Sequence, residues 1–143
     1  MSIQAILLPM FVQVGLTFVL LFWMSALRLA AIRSGQVDPQ KVRLREPNWP
    51  PRVTQVANAF HNQLELPVLF YVVVLLAFVT ETLDVVLLVL SWMFVLARLV
   101  HAYVHVTSNR LDRRTGVFGI SAIALLLMWV IVVARFLLQA SSS

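Results

Sequence analysis

Cysteine is absent from this 143-residue chain. Disulfides, thiolate metal sites and cysteine redox chemistry are therefore excluded. Charge is scarce as well: 12% of the residues are Asp, Glu, Lys or Arg, where a soluble domain carries about 25%. In their place stand 61% hydrophobic residues and a mean hydropathy of +0.91, the composition of a membrane protein. No lysine or arginine precedes the first apolar run. That run, residues 5–27, is far longer than the roughly 7–15-residue core of a secretory signal, so it is expected to be a span and not a leader. Acidic residues number 6 against 11 Lys+Arg, a formal charge of +5. The basic excess lies in loops beside apolar runs, where topology and lipid headgroups account for it and nucleic acid is not an expected partner.

Four apolar runs, about residues 5–31, 52–80, 84–108 and 116–138, predict an all-α integral membrane four-helix bundle, one domain over residues 1–143. The loop after the first run holds Gly35 and Pro39, Pro47, Pro50 and Pro51, which bar a regular helix there. Pro67 lies inside the second run and predicts a kink. Glu81-Thr82-Leu83-Asp84 is short enough to make runs two and three an antiparallel hairpin. Residues 109–114 read as a basic loop, and the tail from Ala140 onward as frayed. Arg33, Lys41, Arg43, Arg45 and Arg52 follow the first span, and Arg110, Arg113 and Arg114 follow the third; the intervening turn carries only Glu81 and Asp84. The positive-inside rule puts both basic loops in the cytoplasm and both termini on the far side.

Ionisable residues inside the runs mark the place to look for function, because a charge in hydrocarbon costs roughly 2.5–3.5 kcal/mol even on lenient scales. Gln55, Asn58, Asn62, Glu65 and Leu69 share one face of the second helix, with His61 at its margin; Arg98, His101, His105 and Asn109 share one face of the third. Counted from the shared turn at 1.5 Å per residue, Glu65 lies about 26 Å away and Arg98 about 23 Å. Two opposite charges at one depth on adjacent helices predict an ion pair. Such a pair can simply fix helix register. The polar neighbours Asn58, Asn62, His101 and His105 point further, to a wet cleft open toward the basic end. His101 and His105 have the i, i+4 spacing of metal ligands, but no carboxylate or third histidine on that helix completes a zinc site. Haem would need an axial histidine from each of two helices, as His61 opposite His105 would provide. No metal is expected.

Asn62-x-x-Glu65-x-Pro67 in the second span, and Ala97-Arg98-x-x-His101-x-x-x-His105 followed by Arg114-Thr115, resemble the MAPEG family, the membrane-associated proteins in eicosanoid and glutathione metabolism. The run Asn58-x-x-x-Asn62-x-x-Glu65-x-Pro67-Val68-Leu69-Phe70-Tyr71 is most similar to the family's bacterial branch. The resemblance covers almost the whole chain. It implies a homotrimer of four-helix subunits, with sites between neighbouring subunits near the cytoplasmic face of a bacterial inner membrane. In catalytic members these sites hold glutathione as co-substrate. Asn62 and Glu65 match span-two glutathione contacts, Asn58 lines the same face, and Arg98 and His101 match contacts on span three, with His105 beside them. Arg28 matches a basic residue near the end of span one. Arg114 falls where some members place the arginine that stabilises the glutathione thiolate, with Thr115 at the adjacent hydroxyl position.

The resemblance therefore implies a membrane-bound glutathione transferase or peroxidase acting on lipophilic electrophiles or peroxides. Asn58 stands where catalytic members usually carry an arginine, His105 where they carry a tyrosine, and Phe118 where some carry a tyrosine. These departures define a second reading, a non-catalytic lipid-binding or scaffold member of the same fold. A third, a small transporter with Glu65 as its protonatable group, is opposed by Arg98 at the same depth and by the lack of an inverted repeat.

Overall fold

The computed structural model describes residues 3–43 and 48–140. Arg45 and Pro47 of the first loop, and the tail at residues 141–143, lie outside the described residues. The described chain is helical and contains no strand: α1 (Ile3–Arg33), α2 (Pro51–His61), α3 (Leu66–Val79), α4 (Val85–Val106) and α5 (Leu111–Ala140), with short 3-10 turns at Pro39–Val42 and Asn62–Leu64. Four stretches are long and apolar enough to cross a membrane: Leu7–Arg33, Pro51–Val79, Val85–Val106 and Leu111–Gln139. The protein is a multi-pass integral membrane bundle. Large apolar residues such as Phe11, Phe22, Val79 and Leu126 are exposed along its sides, where lipid, not water, is the neighbour.

Helix ends follow local chemistry. Gly35 adopts φ +72°, and Gln36 N–H and Gly35 N–H reach back to the carbonyls of Ala31 and Ile32 at 3.1 Å each. This is the Schellman stop, in which glycine tolerates the left-handed turn. Pro51 starts α2 at a first-turn position where its missing N–H costs nothing. Asp84 caps α4, accepting from Leu87 N–H at 2.9 Å. The stretch 109–114, read from sequence as a loop, is helical from Leu111 onward. Asp112 in the first turn suits the positive helix N-terminus and pairs with Arg110 at 3.0 Å. Arg113, Arg114 and Thr115 therefore sit on a helix, not on a mobile tether.

Two larger apolar cores occupy the bundle, and a smaller cluster of Ala31, Val37 and Val53 lies at the first loop. Near the acidic turn, Phe70, Val73 and Ala77 of α3 meet Leu87, Phe94 and Val95 of α4 and Leu125, Met128 and Val132 of α5. Phe70 and Phe94 stack with ring centroids 4.5 Å apart. Near the basic loops, Leu20 and Met24 of α1 meet Val56, Ala57 and Ala59 of α2 and Ala102 and Val106 of α4. The second span thus changes partners along its length: α2 packs on α1 and α4, whereas α3 packs chiefly on α5. The break between α2 and α3 makes that change possible. Between the two cores lies a buried polar layer: Gln13 of α1, Gln63 of the break, and Arg98 and His101 of α4.

Arg135, near the end of α5, ties the acidic turn. It donates to Thr82 O at 2.7 Å and to the Asp84 carboxylate at 2.5 Å. The Arg135 hydrogen bond holds the Asp84 carboxyl below its ordinary range. The stability it contributes is present above the unfolded-state value of about 3.9 and is lost as pH falls through the lower folded value. Asp84→Asn keeps a capping side chain and removes the charge, so at pH 7 it is expected to cost under about 1 kcal/mol, since the pair is one-third exposed. Asp84→Ala also loses the cap, about 1 kcal/mol more. Thermal unfolding at pH 7 and again well below the lowered folded value of Asp84 checks this: the gap between wild type and Asp84→Asn should close only there. A gap of equal size at both pH values would rule out the charge as its source.

Candidate functional site

The break in the second span creates the site. Pro67 cannot donate a backbone hydrogen bond, and the chain before it tightens into the 3-10 turn Asn62–Leu64. Glu65 takes φ −100°, ψ −109°, outside helical values, before α3 resumes. The predicted kink is therefore a true interruption of the α-helix, four residues long, from Asn62 to Glu65. Irregular backbone at membrane depth must find other partners for its polar groups. It finds one in Arg98, whose Nη2 donates to Asn62 O at 2.7 Å.

This contact replaces the expected ion pair. Among the described residues the ion pairs are Arg110–Asp112 and Arg135–Asp84; Glu65 and Arg98 do not close one. The reason is geometric. The bend at Glu65 leaves it on the exposed face of the second span with Asn58, while Arg98 is fully buried at 0% exposure. Arg98 holds the backbone of the break instead of the carboxylate beyond it.

A cavity of about 180 Å³ opens beside this contact, lined by Asn62, His101, Arg114, Thr115 and Phe118. Four of these were singled out from sequence as site residues, and they come from three elements: the break, α4 and the first turns of α5. Arg114 is aimed by Asn109, whose Oδ1 accepts from Arg114 Nη1 at 2.7 Å. Asn109 adopts φ +49° at the α4–α5 turn, a left-handed conformation that asparagine accepts more readily than most residues. His101 contacts Phe118 with ring centroids 6.0 Å apart and meets His105 edge-on at 5.8 Å.

The other sequence candidates are placed elsewhere. His105 is buried one turn from His101 and does not line the cavity. Asn58 and Glu65 are exposed and do not line it. Arg28 sits over Trp49, its guanidinium carbon 5.1 Å from the ring centroid, away from the cavity within one chain. Arg52 does the same over Trp23 at 5.1 Å. Arg52 also donates to Val106 O, and Gln55 donates to His105 O at 2.7 Å and Thr107 O at 3.2 Å. These two side chains cap the open C-terminal end of α4 and so fix the histidine-bearing turn.

The electrostatic character of the region is one-sided. Nε and Nη1 of Arg98, Nδ1 of His101 and of His105, and Nε of Arg114 are buried without hydrogen-bond partners. Buried polar atoms are nearly always paired, so such a concentration marks a place where water or a ligand supplies the missing partners. Two guanidiniums with no carboxylate at ion-pair distance favour an anionic ligand.

Sequence reading passed over Gln13 and Gln63. Both are buried, at 0% and 1% exposure, and Gln13 Nε2 donates to Gln63 Oε1 at 2.9 Å. Gln13 had a visible signal, as an amide in the middle of an otherwise apolar run. Gln63 lies one residue off the polar face, about 100° around a helix, and only the break turns it inward.

Compared with protein-family models, residues 6–134 match that of the MAPEG family. No curated protein and no solved structure matches the chain.

Proposed function

The chain belongs to the MAPEG family, and from that premise we propose that it is a membrane glutathione transferase or peroxidase whose co-substrate binds at the cavity between the helix break and α5. The observation that carries this reading is the convergence of Asn62, His101, Arg114 and Thr115 on one cavity. Glutathione is anionic, which suits a cavity walled by the Arg114 guanidinium, with the buried Arg98 cation behind Asn62. Exposed Glu65 is left free for its ammonium group. A thiol with a pKa of about 8.5 is a poor nucleophile at neutral pH until a nearby cation stabilises its thiolate. Arg114 at the cavity wall is that cation, and Thr115 adds a hydroxyl donor. In conjugation, the thiol proton leaves to solvent and the sulfur forms a bond to an electrophilic carbon, which expels its leaving group. The lipophilic partner enters from the bilayer.

The cavity within one chain is smaller than the roughly 300–1,000 Å³ of a typical ligand site. That supports a homotrimer in which a neighbouring subunit completes it. The positive-inside rule supports a cytoplasmic position for the basic loops and, with them, the site.

Asn58 favours a second reading, a lipid-binding or scaffold protein on the same fold. It puts an uncharged amide where catalytic relatives would anchor a carboxylate, and it is exposed on the site-facing helix. Titration calorimetry with glutathione in detergent separates the two. Saturable binding at or below millimolar concentration supports the enzyme; no heat up to that range, together with a lipid retained in native mass spectrometry, supports the lipid-binding protein.

A further inference from the structure

The break at Asn62–Leu64 needs more than Pro67. A helix interrupted here exposes carbonyls that the regular ladder would have satisfied. The last α-helical bond before the break runs from Asn62 N–H to Asn58 O. The next carbonyl, Ala59 O, receives the side chain of Gln63 instead, its Nε2 donating at 3.0 Å. Gln63 thereby takes over, with its side chain, the place that its own backbone N–H would hold in a continuous helix. The other end of the same amide is held across the helix interface, where Gln63 Oε1 accepts from Gln13 Nε2 at 2.9 Å. The whole arrangement is sealed, with Ala59 at 0%, Gln13 at 0% and Gln63 at 1% exposure. It lies one residue from Asn62, whose carbonyl is gripped by Arg98 and whose side chain lines the cavity.

We propose that Gln13 and Gln63 are positioning residues of the site: a buried amide clasp from α1 that holds the second span in its broken conformation and so presents Asn62 to Arg98 and to the ligand. Neither residue touches the cavity. Their action passes through the backbone of the break. Without the Gln63 side chain, Ala59 O is left orphaned, and its nearest remedy is the Gln63 backbone N–H. Making that bond extends α2 by one residue, rotates the peptide of Asn62, and draws its carbonyl away from Arg98. The clasp thus selects between two backbone states of one segment, and α1 takes part in site geometry without lining the site. The functional half of the proposal rests on the ligand reading given above; the conformational half does not.

The test uses full-length protein in detergent with the variants Gln13→Met, Gln63→Met and Gln13→Met/Gln63→Met. Methionine matches glutamine in length and lacks the amide. Replacing both partners of a buried hydrogen bond by apolar groups of similar shape is nearly neutral for stability, whereas replacing one strands the other. The double variant strands neither amide, but it still removes the partner of Ala59 O and loosens the Arg98 contact with Asn62 O, so it is expected to melt below the wild type. Two further readouts address position. Arg98 side-chain protons, followed by solvent exchange in ¹⁵N NMR, should exchange at least about tenfold faster in the double variant, because an unpaired guanidinium is no longer held. The glutathione Kd should rise at least about tenfold, because the shifted break withdraws Asn62 from the cavity wall and one hydrogen bond to a charged ligand group is worth about that much. Unchanged Arg98 exchange in the folded double variant would overturn the clasp. Changed exchange with an unchanged Kd would overturn its role at the site. If wild type binds no glutathione, the ligand reading fails, and Arg98 exchange alone still decides the clasp. Should the double variant not fold, Gln13→Asn, one methylene shorter, opens the clasp while keeping the layer polar, and the same exchange measurement applies.

Discussion

Arg114→Ala is expected to lower glutathione-dependent turnover at pH 7 by about 10- to 1,000-fold while leaving the bundle folded. The range follows from the 1–3 pKa units by which a neighbouring guanidinium favours an ionised acid. Arg114 stands on the first turns of α5 at the cavity wall, and its side chain is held by Asn109 and not by the core. Its removal therefore takes away charge more than packing. The deficit should shrink as pH approaches 8.5, where a free thiol ionises unaided. Arg114→Lys should recover part of the rate, because it restores a charge but not the guanidinium fork. The measurement is the rate of conjugation against pH, with the thiolate absorbance of bound glutathione followed in parallel. A wild-type rate at neutral pH in Arg114→Ala would remove this residue from the mechanism.

Arg98 is the second position where a large effect is expected, and two substitutions there should behave differently. Arg98→Ala leaves Asn62 O without its partner and empties the largest fully buried side chain in the described structure. The unpaired carbonyl alone costs about 1–3 kcal/mol, and the void adds to it. Arg98→Met fills much of the space and removes a buried charge that has no close counter-ion, so its stability loss should be smaller. Both should weaken glutathione binding by at least about tenfold, since both remove the cation behind the break. Thermal unfolding and calorimetry on the pair give two independent numbers. Arg98→Met that binds as wild type would show that the cation is needed for folding only.

Much of this arrangement was legible in the chain. Four apolar runs gave the bundle, Pro67 gave the interruption, and the spacing of Asn62, Arg98 and His101 gave a polar meeting point between two helices. The error was in how those residues meet. Matching depths paired Glu65 with Arg98, because a helix wheel treats the second span as continuous. The break invalidates the wheel beyond Asn62: it turns Glu65 outward, turns Gln63 inward, and offers a backbone carbonyl that no side-chain pattern records. Residues 109–114 were misjudged for a related reason. A cluster of arginines reads as solvent-exposed loop, yet Asp112 at the start of α5 makes the same residues good first-turn partners. Arg135 escaped notice because its partner, Asp84, lies in a turn fifty-one residues away.

The buried polar layer between the two cores also bears on how the chain enters the membrane. An arginine at mid-span opposes insertion by about 2.5–3.5 kcal/mol, and α4 carries Arg98 with two histidines on the same face. The group that receives it precedes it in the sequence: Asn62 supplies the carbonyl. Synthesis runs from the N-terminus, so the first two spans emerge before α4 does. The acceptor of the arginine is thus synthesised before the arginine itself. In this reading the order of the helices along the gene is part of what makes a charged third span tolerable, and a rearranged chain with the same four helices would have to carry that charge across unaided.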